Sequence, residues 1–175
     1  MFEYQNQLQY PVRIKNPNPT YAKIIISQLG GPDGEIGAAT RYLSQRYTMP
    51  YSRIIGTLTD VGVEELNHVE MVSAILYQLT RNLSVEEIKK SGFDTYFVDH
   101  TTGVYPQAAS GLPFRAEYIG VKGDVIADLN EDLAADAAIF IMHKYANMQD
   151  YMQTIFNKIF VKMNKVNVVY NRFMY

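Results

Sequence analysis

The chain has 175 residues, 47% of them hydrophobic and 19% charged, which suits one domain with a real core and excludes a disordered chain. A net charge of −2 gives no whole-chain argument for nucleic acid or for an anionic membrane as partner. There is no cysteine, so disulfides and thiolate metal sites are excluded, and any metal must be held by carboxylate and imidazole, a donor set suited to manganese, iron or zinc.

Residues 1 to 19 read as an extended arm, punctuated by Pro11, Pro17 and Pro19. The arm does not have the pattern of a signal peptide, and no apolar run is long enough to span a bilayer. A soluble protein of a reducing compartment is the expectation. The stretch from Thr20 to Met49 is helical on both sides of GGPDG, with Thr20 as N-cap. The glycines either interrupt one helix or separate two. After them Ile36, Ala39, Leu43 and Tyr47 follow a helical repeat. A third helix is expected from Ser52 to Arg81, its apolar stripe formed by Ile55, Leu58, Leu66, Val69, Val72, Ile75, Leu76 and Leu79. A short capped helix follows: Ser84 and Glu87 form a capping box and Gly92 ends it. From 93 to 123 the periodicity fails, and a connection this long suits a crossover or a subunit contact. Helix resumes after Asp124, its expected N-cap. A fourth long helix is expected in the tail, where Ile155, Phe156, Ile159, Phe160, Met163 and Val166 recur with helical spacing. Three or four long helices with one long crossover predict an all-α, ferritin-like four-helix bundle in a single domain, residues 1–175.

Glu65 and His68 are three residues apart in the third segment, so both side chains share a helix face and can reach one ion. Glu35 lies in the apolar, small-residue stretch GEIGAATRYL, where an inward charge needs a partner. Tyr42, two turns later, is placed to hydrogen-bond a ligating carboxylate. Each residue also has a plainer role. Glu35 suits the positive end of a helix dipole, His68 a core histidine bonded to a carbonyl, and Asp128, Glu131, Asp132 and Asp136 a solvated face.

The stretches LQYPVRIKNPNPTYAKIIISQLGGPDGEIGAATRYLSQRYTMP, IGTLTDVGVEELNHVEMVSAILYQLT and GLPFRAEYIGVKGDVIADLNEDLAAD resemble the manganese catalase family, and most of all its spore-coat branch. The likeness runs unbroken from residue 1 to about 136. It implies a ferritin-like bundle, a di-manganese centre, disproportionation of hydrogen peroxide, homo-oligomers, and a place in the spore coat after cytoplasmic synthesis, with other coat proteins as partners. Residue by residue, it implies that Glu35, Glu65 and His68 are metal ligands and that Tyr42 supports them. Asp136 stands where the family has a ligating glutamate, one methylene longer.

The tail departs from the family. Residues 1 to 136 carry eleven Lys and Arg against seventeen Asp and Glu, whereas residues 137 to 175 carry five against one and hold five of the eight methionines. The family's fourth-helix Glu-x-x-His falls on Val166 and Val169 when counted without gaps from Asp136, and the tail has no Glu and only His143. No catalytic base is therefore assigned. Asp132, one turn before Asp136, is a stand-in ligand. The donors suit one firmly held manganese and a second held loosely, with iron as the alternative metal. Three functions follow: a manganese-catalase-like enzyme, a coat protein with a degenerate or mononuclear site, or a ferritin-like iron oxidase. Neither nucleic acid nor a membrane is an expected partner.

Overall fold

The computed structural model describes residues 5–96 and 103–145, with side chains to residue 135. Among the described residues five α-helices run in chain order: α1 Pro19–Gly30, α2 Glu35–Gln45, α3 Ser52–Thr80, α4 Val85–Ser91 and α5 Val125–Tyr145. Short 3₁₀ turns occupy Arg46–Thr48, Asp94–Tyr96 and Ala116–Ile119. Among the described residues there is no strand, only an isolated bridge between Gln107 and Pro113. No described helix is long and apolar enough to cross a membrane. Cα packing divides the chain into two compact units, Met1–Gly37 with Leu66–Tyr118 and Ala38–Glu65 with Ile119–Tyr175.

The first unit is built on α1 and the C-terminal half of α3. Asn18, not Thr20, caps α1: its side chain accepts from the Thr20 and Tyr21 amides. Pro19 fills the first helical position, where a missing N–H costs nothing. GGPDG separates α1 from α2. A Cβ on Gly30 would collide with the backbone of Pro106 and Gln107, so only glycine lets that loop cross here. The loop is pinned where the Ala109 amide donates to Ser27 Oγ at 2.6 Å and Tyr96 Oη donates to the Ala109 carbonyl at 2.6 Å. The arm is stitched to its own α3. The Ile14 amide donates to Gln78 Oε1 at 2.7 Å, Gln78 Nε2 donates to the Val12 carbonyl at 2.8 Å, and Arg81 Nη2 donates to the Ile14 carbonyl at 2.8 Å. One glutamine thus reads the extended backbone as a neighbouring strand would. Val12 is buried by this contact, whereas Tyr105 and Leu112 in the long connection stay exposed.

The second unit holds the cluster Ala38, Tyr42, Met49, Ile54, Leu58, Val61 and Leu129. A Cβ at Gly62 would stand 2.8 Å from Leu43 Cγ and 3.2 Å from Tyr42 Cβ, so the missing side chain sets how closely α3 approaches α2. Asp124 caps α5 as expected, accepting from the Ile126 and Ala127 amides. Asp128 and Asp132 do not lie on a solvated face; both are fully buried. Asp128 accepts from the Lys122 and Gly123 amides at 2.8 and 3.1 Å and fastens the turn before α5.

Candidate metal centre

The site begins with the register of α3. One buried row runs Ile54, Leu58, Val61, Glu65, His68, Val72, Ile75 and Leu79 in alternating steps of four and three, with Gly62, Met71 and Leu76 buried beside it. That alternation is the apolar seam of a packed helix. Glu65 and His68 occupy two consecutive seam positions that apolar residues hold elsewhere along the helix. They are 5% and 4% exposed. Ile55, expected in the stripe, lies off it and is 37% exposed.

Helix α2 carries the complementary carboxylate. Its buried row is Glu35, Ala38, Tyr42 and Gln45, continuing to Met49. Of the expected stripe through Ile36, Ala39, Leu43 and Tyr47, Ala39 is buried, but the fully buried row lies one position to the side: Tyr47 is 78% exposed, and Ile36 and Leu43 are half-buried. Glu35 is the first residue of α2 and only 1% exposed. Its two readings therefore coexist, since the helix N-terminus favours a carboxylate exactly where the row turns inward.

Ligand atoms of Glu35, Glu65 and His68 all lie within 4.8 Å of one another, and all three residues are buried. His68 Nδ1 stands 3.6 Å from Glu35 Oε2. That is longer than a good N–H···O hydrogen bond. Two donors each about 2.0–2.2 Å from a shared ion stand roughly 3–4 Å apart, and the observed separation falls inside that range. Two carboxylates placed together in a low-dielectric interior repel and lose hydration, and a divalent cation offsets both penalties. The donor set also has the right chemistry, since hard oxygen plus imidazole suits manganese and iron. The residues present therefore fit a metal ion.

The other expected site residues stand as follows. Tyr42 is fully buried in the apolar cluster of the second unit. Asp132 is buried but is not part of the three-residue group. Asp136 lies on α5 with its side chain outside the described residues, and Val166, Val169 and the rest of the expected fourth helix lie wholly outside them. Sequence reasoning missed Gly62. Its signal is a glycine inside a strong helix pattern, one turn before Glu65, which marks a close approach.

A family profile described as manganese containing catalase matches residues 1–152. Protein CotJC of Bacillus subtilis (strain 168) is 48% identical over 136 residues, which are 78% of this chain and 71% of that protein. A probable manganese catalase of Clostridium acetobutylicum is 31% identical over 160 residues, 85% of this chain and 67% of that protein. The crystal structure of KatB, a manganese catalase from Anabaena, matches with a TM-score of 0.80 at 25% identity, covering 99% of this chain and 78% of that one. The fold is therefore the ferritin-like helical bundle of those proteins. With the matched profile, the long shared stretches and the fold in agreement, the chain belongs to the manganese-containing catalase family.

Proposed function

We propose that this chain acts on hydrogen peroxide at a manganese centre held by Glu35, Glu65 and His68, with Asp136 contributing from α5. The observation that carries the reading is the convergence of two buried carboxylates and an imidazole on two adjacent seam positions and a helix N-terminus. Disproportionation takes two electrons and two protons from one peroxide, giving dioxygen, and passes them to a second, giving two waters. Manganese when bound supplies the redox pair that stores those electrons between the two halves. The protein's share is to hold the ion dry and in place. The α3 seam excludes water around Glu65 and His68, and the first turn of α2 orients Glu35. Tyr42 supports the ligating carboxylates.

A second reading rests on a specific feature of this sequence. The tail offers Val166 and Val169 where the family supplies Glu and His, so the chain carries one imidazole for the centre and no fourth-helix base. A positioned base is typically worth about 10²- to 10⁴-fold in rate. The chain as written is then expected to hold about one manganese firmly and to be a poor catalase. The resemblance to the spore-coat branch supports a coat location and assembly with further copies and other coat proteins. The paired test is metal analysis and oxygen-electrode assay of the chain beside Asp136→Glu/Val166→Glu/Val169→His. The variant is expected to gain both manganese and oxygen release. Two firmly bound manganese ions and brisk oxygen release from the unmodified chain would contradict this ligand placement.

A further inference from the structure

The metal group does not use Gln45, a buried polar side chain of the second unit. Gln45 closes α2 with 0% exposure, and among the described residues neither its Nε2 nor its Oε1 has a hydrogen-bond partner. Its main-chain carbonyl is satisfied, since Thr48 Oγ1 donates to it at 2.9 Å. Only the carboxamide is unpaired. The amide lies in the row Ala38, Tyr42, Gln45, Met49, whose other three members belong to the apolar cluster. It stands ten residues beyond Glu35, about 15 Å along the helix axis, so it is no part of the metal group.

A carboxamide presents two N–H donors and an oxygen acceptor. Burial of such a group with no partner is heavily unfavourable, and native proteins almost always satisfy it. The complementary occupant is small, neutral, and both donates and accepts. A charged occupant would forfeit its hydration in an apolar cluster. We propose that Gln45 anchors an internal water molecule in the core at the C-terminal end of α2. The amide oxygen accepts from this water and the amide nitrogen donates to it, so the water belongs to the fold as a side chain does.

Gln45→Met keeps the length and shape of the side chain and removes every donor and acceptor. An amide that is simply unpaired and an amide that holds water respond in opposite ways. Removing an unpaired buried amide relieves its desolvation penalty and raises the thermal midpoint. Removing the anchor of a bound water strands or expels that water and lowers the midpoint by a few degrees. A high-resolution crystal structure of the full wild-type chain is expected to show an ordered water bonded to both amide atoms, absent from Gln45→Met. A midpoint unchanged or raised in Gln45→Met, or a wild-type map with no water at the amide, would overturn the proposal.

Discussion

At the scale of single residues, the centre depends on side chains whose chemistry contradicts their position. Glu35, Glu65 and His68 occupy places where packing alone would select leucine or alanine. The Glu65–His68 pair was legible from spacing, because three residues on a helix return to one face. Glu35 was legible as a charge in an apolar stretch. Gln45 and Asp128 were not, because nothing in a linear pattern separates a buried amide or a loop-fastening carboxylate from a surface one. Tyr42 gives a residue-scale prediction. Tyr42→Phe keeps the ring in its cluster and removes only the hydroxyl. If the hydroxyl supports a ligating carboxylate, manganese affinity falls about 10- to 100-fold while the fold is retained. Equilibrium dialysis with manganese, beside circular dichroism, measures both; unaltered affinity would leave Tyr42 a packing residue only.

At the scale of elements, α3 and α4 follow the sequence closely, and α2 shows why others do not. A hydrophobic repeat counts only apolar residues, so it selects the wrong face when the buried row contains Glu35, Tyr42 and Gln45. The reading shifted by one position and placed Tyr47 inside. Closeness between α2 and α3 rests on Gly62. Gly62→Val places branched bulk against Leu43 and Tyr42, and overpacking of this kind is expected to cost about 1–3 kcal/mol and to lower manganese content by displacing Glu65. Thermal denaturation and metal analysis report the two effects. Helix α4 carries a pH dependence. The Ser84 backbone amide, and then its hydroxyl, bond the Glu87 carboxylate and hold its pKa below the usual value. A lowered folded-state pKa means the capping box stabilises α4 above the unfolded carboxylate's pKa and that this is lost as pH falls through the folded value. The protection of α4 amides, measured against the intrinsic exchange rate at each pH, is expected to fall on acidification, and Glu87→Gln is expected to flatten that dependence. Ser84→Ala should cost about 1 kcal/mol at neutral pH, read from the same exchange rates.

At the scale of the whole molecule, the fold class was legible because the likeness to the family runs through the first 136 residues. The remainder was not, because an ungapped count puts Val166 and Val169 where the family has Glu and His, and the charge turns from acidic to basic after residue 136. Among the described residues the candidate centre comprises Glu35, Glu65 and His68. The arm docks through Gln78 and Arg81 on its own α3. The most direct test is manganese content per chain, by elemental analysis after reconstitution and gel filtration, for the wild type, Glu65→Gln and His68→Ala. About one firmly held manganese in the wild type and near-complete loss in both variants, with helicity unchanged, is the predicted result. Manganese retained in both variants, or none bound by the folded wild type, would contradict it.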